Sequence, residues 1–368
     1  AVTIRTPSEG RIAWFGFRLS QAATPRDSLM VDRLVKNGLL WAAGRMQASP
    51  SPWPEGRRAA LVVIQDVEAE YQNASAAAEL LSETRLPGTF FAVSRLVMDD
   101  PELGRVLVEA GEVGSQTSDH APRAGLTLQD QQVRLRRSWS EIRGWTGVSR
   151  RGLRPPEEAF DTNTLEAWQE AGGAYVLAVN QARSGSPEIY GLGGGEPMIL
   201  LPRLIKDDYN VFVQEGALRA HRLAEAFLDG TQKLRAIGGL AVVAVHTQIV
   251  GTGGRLNALR DLAESVRGDG DWWLAEAGEV ADWWKARHAV VVRAEEGEGG
   301  TLLPDTISSD SISSDSVAVA PARFRVEAPG SHGMEGLWVD VVAPRGVEGL
   351  MPSVDGVPVA YTETEWGM

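Results

Sequence analysis

The sequence predicts an α/β fold, a closed or partly closed β/α barrel, running from Arg57 to about Val292. Three observations predict it. Segments such as "AALVVIQDV" and "GTFFAV" are short and almost wholly apolar, as parallel strands covered on both faces must be. Between them lie longer segments with apolar residues at helical spacing, such as "ASAAAELLSETR" and "DPELGRVLVEAG". The two periodicities alternate along the whole stretch, which argues for βα units over an antiparallel sandwich.

Taken in order, the chain opens on "GRIAWFGFRL", a strand with bulky residues on both faces, then "SLMVDRLVKNGLLWAAGRM", a helix. About fifty residues cannot bury both faces of a strand alone, so residues 1–50 either pack on the main domain or end an upstream α/β domain. Proline and serine in "ASPSPWPEG" interrupt both periodicities and mark a boundary. The barrel follows over 57–292, its further helices at "TLQDQQVRLRRSWSEIRGW", "DTNTLEAWQEAG", "EGALRAHRLAEAFLDGTQKLRAIG" and "RLNALRDLAESVRG". Residues 293–316, with the duplicated "ISSDSISSDS", are expected as a linker or edge loop. Residues 317–368 alternate between strand-like runs and Gly/Pro turns, as in a small β-rich domain.

Composition narrows the function. The 368 residues carry a formal charge of -13, from 49 acidic and 36 basic side chains, with no basic stripe among aromatics. Nucleic acid is therefore a poor partner, since phosphate binding needs clustered cations. The absence of cysteine excludes disulfides, thiolate metal sites and cysteine nucleophiles. No apolar run approaches the roughly 20 residues of a membrane span. No G-x-S-x-G elbow marks a serine hydrolase, and "GLGGGE" and "GTGG" lack the strand–loop–helix setting of a phosphate loop. The twelve tryptophans are assigned to core packing by default, with one or two available to stack on sugar rings.

Five histidines can be weighed singly. His221 inside a helix, His288 at a helix end and His332 in a Gly-rich turn are read as structural or solvated. His120 and His246 each follow a short apolar strand or its turn, in "GEVGSQTSDH" and "LAVVAVHTQ", where β/α barrels gather their chemistry. A third strand ends in "LVVIQDVEAEY": Asp66 and Glu68 stand two apart, so on extended backbone both carboxylates face one side. Arg154 precedes two prolines that fix an extended loop, and Asp161 is an expected helix N-cap. Adjacent Asp207 and Asp208 follow an apolar run and are read either as partners of Arg154 or as a solvated turn.

In this order the residues resemble the polysaccharide deacetylase family, the NodB-homology carbohydrate esterases, across roughly residues 57–292. "VIQDVE" stands for the family's acidic pair, "QTSDH" for its His-Ser/Thr-x-x-His segment without the leading histidine, "LRPPEEAF" for its Arg-Pro-Pro loop and "VVAVHTQ" for its final histidine. The resemblance implies a distorted β/α barrel and metal-assisted hydrolysis of an acetyl group, N-acetyl ahead of O-acetyl, on a polysaccharide outside the cytoplasm. It implies a divalent cation, usually zinc, an aspartate base, a histidine acid and an arginine that orients the base. If the acidic pair is adjacent, Asp66 is the ligand and Gln65 occupies the base position. If it is Asp-x-acid, Asp66 is the base and Glu68 the ligand, the preferred reading because it keeps a base. The metal set is then drawn from Glu68, His120, Gln116 and Asp66, and the catalytic set from Asp66, His246, Arg154, Asp207 and Asp208. Gln116, a neutral amide where imidazole is expected, weakens zinc binding, shifts it toward oxygen-preferring ions, or marks a protein that binds sugar without hydrolysing it.

Overall fold

The structure, a computed structural model, describes residues 51–148, 152–179, 185–191, 196–251 and 253–295, together with the short terminal strands named below and a few residues beside them. The chain forms two compact units: Ser51–Val290 with Ala328–Trp338, and Ala1–Pro50 with Val291–Glu327 and Val339–Met368. In the smaller unit β1 (Val2–Arg5) pairs antiparallel with β2 (Ile12–Phe15), inside the expected "GRIAWFGFRL" strand, and β3 (Gln47–Pro50) follows. The helix expected over residues 28–46 lies almost wholly outside the described residues.

The larger unit is built on one curled sheet of β4 (Ala59–Val67), β5 (Gly88–Ala92), β6 (Gly111–Ser115), β7 (Gly152–Leu153), β8 (Tyr175–Val179), β9 (Glu188–Tyr190), β10 (Met198–Arg203), β11 (Leu240–His246) and β12 (Trp272–Leu274). Their order is β11-β4-β5-β6-β7-β8-β10-β9, with β12 also on β4. Every pairing is parallel except that of β9 with β10. A strand has two hydrogen-bonding edges. β11 runs along β4 from Leu240↔Ala60 to His246↔Asp66, while β12 pairs with residues 59–61 and β5 with residues 63–67. The barrel expected from the sequence is thus a half-barrel with open ends to its strand order.

Alternation explains the apolar runs. Ala59, Leu61, Val63 and Val67 of β4 enter a core with Leu81, Leu107, Leu135, Trp168, Phe227 and Leu259 from the outer helices. Ala60, Val62 and Ile64 enter a second core with Trp53 and with Ala277, Val280, Ala281 and Trp283 of the helix Ala277–Ala289. With both faces covered, each large side chain such as Phe90 or Phe91 contributes roughly 1.5–3 kcal/mol by burial. Tryptophans serve this packing: the rings of Trp53 and Trp284 lie 5.3 Å apart and those of Trp139 and Trp168 meet edge-on at 6.4 Å. Gly111 opens β6 because a Cβ there would stand 2.1 Å from the carbonyl oxygen of Gly88, its register partner on β5.

The helices fall where the spacing puts them, at Ala74–Thr84, Pro101–Ala110, Leu128–Thr146, Thr162–Glu170 and Asn257–Val266. One start differs. The run from Glu215 becomes helical only at His221, because left-handed Gly216 and the π-turn Tyr209–Gln214 precede it, so His221 begins its helix instead of lying inside it. The helix Ala277–Ala289 escaped the sequence reading because it is apolar on more than one side.

Asp161 caps Thr162–Glu170 as expected, accepting from Thr164 N–H at 2.8 Å and also from Gly125 N–H at 2.7 Å and Gln131 Nε2 at 3.1 Å. Partial burial opposes the anion, but these donors outweigh it and hold the carboxyl at about 2. Asp161→Ala is expected to lower stability in urea unfolding by about 0.5–2 kcal/mol at neutral pH. Because the folded-state pKa is depressed, the stabilisation is present above the ordinary 3.8 and fades as pH falls toward 2, so the difference between the two proteins should shrink over that window.

Beyond the barrel, β13 (Val291–Glu295) pairs antiparallel with β14 (Arg323–Glu327), β15 (Val339–Val342) with β3, and β16 (Ser353–Val354) with β17 (Val357–Pro358). Residues 293–295, placed by the sequence in a linker, belong to β13, and the rest of that linker lies outside the described residues.

Candidate active site

The C-terminal ends of the parallel strands converge, and each delivers one element of the site. Asp66 is the penultimate residue of β4, on the same face as Ala60, Val62 and Ile64, and is 1% exposed. The parallel register sets His246, the last residue of β11, beside it. The loops that follow are laced together: Thr247 N–H donates to Asp66 O at 3.1 Å, and Glu68 N–H to Thr247 Oγ1 at 3.0 Å.

Glu68 collects three donors. Gln116 Nε2 donates to its Oε1 at 2.6 Å, His120 Nε2 stands 2.8 Å from the same oxygen, and Gln248 Nε2 donates to Oε2 at 2.7 Å. Gln116 and His120 reach one carboxylate because the chain after β6 doubles back, with Thr117 at φ 66 and His120 at φ 58. Left-handed backbone at a β-branched residue costs on the order of 1–3 kcal/mol, which the surrounding hydrogen bonds must offset. Burial alone would push the Glu68 carboxyl up, but the hydrogen bond from His120 and the charges of His246 and His120 hold it down at about 2. The same hydrogen bond raises the His120 imidazole above its ordinary value, against some burial.

On the other side of the pocket Arg154 Nε donates to both oxygens of Asp66, at 3.2 and 3.4 Å. Its loop is set by Arg154 N–H donating to Ser115 O at 2.9 Å and by the two prolines that follow. Burial raises the Asp66 carboxyl above its usual range, with Arg154 and His246 opposing the shift. His246 Nδ1 lies 2.6 Å from Asp208 Oδ1, and its backbone N–H donates to Asp208 Oδ2 at 2.8 Å. This double tether leaves Nε2 facing Asp66 Oδ2 at 3.4 Å. Burial disfavours the imidazolium, but the hydrogen bond with Asp208 and the charge of Asp66 outweigh it and raise His246 to about 9. Donor atoms of Asp66, Glu68 and His246 all lie within 4.8 Å of one another.

The structure therefore brings together Asp66, Glu68, Gln116, His120, Arg154, Asp208 and His246. Asp207 is not among them: it accepts from Asn210 N–H at 2.8 Å and lies 3.3 Å from Arg203. Neither sequence reading of the aspartate pair stands. Both are buried, at 5% and 0% exposure, and Arg154 spends its guanidinium on Asp66 and Glu158 instead. His221 begins the helix His221–Ala236, His288 lies in the last turn of Ala277–Ala289, and His332 is outside the described residues. Sequence reasoning missed three residues. Gln248 stands two beyond His246 as Glu68 stands two beyond Asp66, and Arg203 ends β10, so the strand-end rule that found Asp66 would have found both. Glu158 carried no such signal.

A protein-family model described as polysaccharide deacetylase matches residues 59–176. Among solved structures, a protein described as a polysaccharide deacetylase from Mycobacterium smegmatis is similar with a TM-score of 0.58 at 23% identity, covering 72% of this chain and 98% of that one. Puue allantoinase is similar with a TM-score of 0.57 at 19% identity, covering 65% and 94%. A protein described as a polysaccharide deacetylase from Pseudomonas aeruginosa gives 0.57 at 17%, covering 64% and 93%. At these identities the likeness is one of fold. No curated protein matches the chain. Over the matched segment, which carries Asp66, Glu68, Gln116, His120 and Arg154, the chain is similar to the polysaccharide deacetylase, or NodB-homology, family, and it shares its fold with these solved structures.

Proposed function

We propose that the chain hydrolyses acetyl groups on a polysaccharide, N-acetyl ahead of O-acetyl, outside the cytoplasm, with a divalent cation held at Glu68. One observation carries the reading: a carboxylate and an imidazole with opposite proton-transfer roles face one pocket, Asp66 Oδ2 and His246 Nε2 being 3.4 Å apart. Asp66 is the base. Its carboxylate takes a proton from the water that attacks the acetyl carbon, and burial makes it more basic than an exposed aspartate. Arg154 aims that carboxylate. His246 is the acid: held protonated by Asp208, it gives the Nε2 proton to the departing atom. An amine leaves only when protonated, whereas an alkoxide depends on it less, so a strongly held imidazolium suits an amide.

The residues also suit a cation. The Gln116 amide oxygen is buried without a hydrogen-bond partner, and half a turn of the amide would bring it beside Glu68 and His120. The set is then one carboxylate, one imidazole and one amide oxygen, with Asp66 engaged by Arg154 and so left as base. When bound, such an ion supplies Lewis acidity toward an acyl carbonyl. With two oxygen donors and one nitrogen the set suits zinc less than a two-histidine site, and manganese or cobalt more.

Purified protein is expected to carry about one divalent ion per chain and to release acetate from an N-acetylated glycan. Metal-free protein that releases none after loading with zinc, cobalt or manganese would favour the second reading, sugar binding without hydrolysis, which rests on Gln116. Changes to residues merely supporting metal ligands move affinity by about 10–100-fold. Gln116→His, which changes a ligand, is therefore expected to tighten zinc binding at least about tenfold by competition with a chelator. Unchanged affinity would mean that residue 116 does not face the ion.

A further inference from the structure

Behind the pocket the charged groups form a chain that returns to its start. Arg154 Nη1 donates to Glu158 Oε1 at 2.5 Å, and Glu158 is gripped again by Arg203, with Nε on Oε1 at 2.5 Å and Nη2 on Oε2 at 2.9 Å. Arg203 Nη1 then reaches Ile205 O at 2.7 Å and Asp207 Oδ2 at 3.3 Å. Asp207 precedes Asp208, which holds His246, which faces Asp66, which accepts from Arg154. Arg154 and Arg203 are 2% and 6% exposed. Charges so placed cost several kcal/mol each unless every partner is present. Glu158 is delivered at a further cost, for Glu157 and Glu158 are consecutive left-handed residues at φ 54 and 56. Strained backbone of this kind persists where its neighbours over-determine it.

A pair that served only stability would not need this placement. Arg154 lies on the base and the Asp208 loop on the acid, and those two elements come from β7 and β10, which are not adjacent in the sheet. Glu158 and Arg203 link them by a path of charged hydrogen bonds that does not pass through the pocket itself. We propose that Glu158 and Arg203 are positioning residues that lock the base side and the acid side of the site into one unit, so that the separation of Asp66 from His246 is set from behind. The idea rests on the acid and base roles given above for its kinetic consequence, but not for the link itself. Neither residue touches substrate; each acts through Arg154 or through the Asp208 loop.

The test uses the full chain with Glu158→Gln and Arg203→Lys, following acetate release and the imidazole nitrogen resonances of His246 by NMR. Displacing a reacting group by about 1 Å costs up to about 100-fold. Glu158→Gln is therefore expected to lower kcat about 10- to 100-fold with KM changed less than about threefold, and to move the His246 resonances although Glu158 does not touch that ring. Arg203→Lys, which keeps the charge but cannot grip both oxygens, should fall between it and wild type. Should Glu158→Gln fail to fold, Glu158→Asp and Arg203→Lys decide the matter by the same two readouts. Folded variants with wild-type kcat and unmoved His246 resonances overturn the proposal. A wild type that releases no acetate defeats the hydrolytic reading instead, and the resonances then decide the link alone: moved supports it, unmoved overturns it.

Discussion

Asp66→Asn is expected to lower kcat by about 10²–10⁴-fold, the usual worth of a positioned general base. The substitution keeps the shape but turns one accepting oxygen into an NH2 that cannot accept, and so removes the carboxylate that takes the proton. The fold should survive it, because Arg154 retains Glu158 at 2.5 Å and is not left unpaired. Burial raises the folded-state pKa of Asp66, so its ionised form weighs against folding at neutral pH, while its charge also offsets those of Arg154 and His246. Thermal unfolding at pH 7 should show Asp66→Asn still cooperatively folded while acetate release collapses. A variant that keeps more than about a tenth of wild-type kcat would remove Asp66 from the base role and return attention to the adjacent-acid reading, in which it is a metal ligand.

His246→Gln is expected to cost about 10²–10⁴-fold in kcat on an N-acetyl substrate, because the departing amine loses its proton donor. On 4-nitrophenyl acetate, whose leaving group departs as a stable anion, the same variant should lose no more than about tenfold. Equal losses on the two substrates would sink the assignment of His246 as acid. The pH profile carries the same information. His246 is raised to about 9, so the protonated donor persists through neutrality and activity on the amide should fall as pH rises through about 9. The linkage sign agrees: a histidine whose folded-state pKa is raised contributes stability that is complete below its ordinary 6.5 and is lost between there and about 9. In His246→Gln both the alkaline fall in rate and that loss of stability should be blunted.

Much of this was legible in the sequence, and for local reasons. Strand and helix periodicity are properties of neighbouring residues, so β4 appears in full as "AALVVIQDV" and the N-cap of Thr162–Glu170 as Asp161. The strand-end rule is nearly as local, and it singled out Asp66, Glu68 and His246 before any contact was known. Gln116 and His120 bound the five-residue segment "QTSDH", but that both reach one carboxylate depends on backbone that turns left-handed at Thr117 and His120.

What the sequence by itself determined was therefore the β/α alternation and the identity of the side chains at the strand ends, because these follow from local periodicity and from the burial of both strand faces. Only the tertiary structure decided which charge meets which: Arg154 with Asp66 and Glu158 instead of with Asp207 or Asp208, and Asp208 with His246 from strands far apart in the sheet order. Those pairings depend on how far the sheet curls and on two strained residues at 157 and 158, and ion pairing between distant segments leaves no periodicity for a sequence to display.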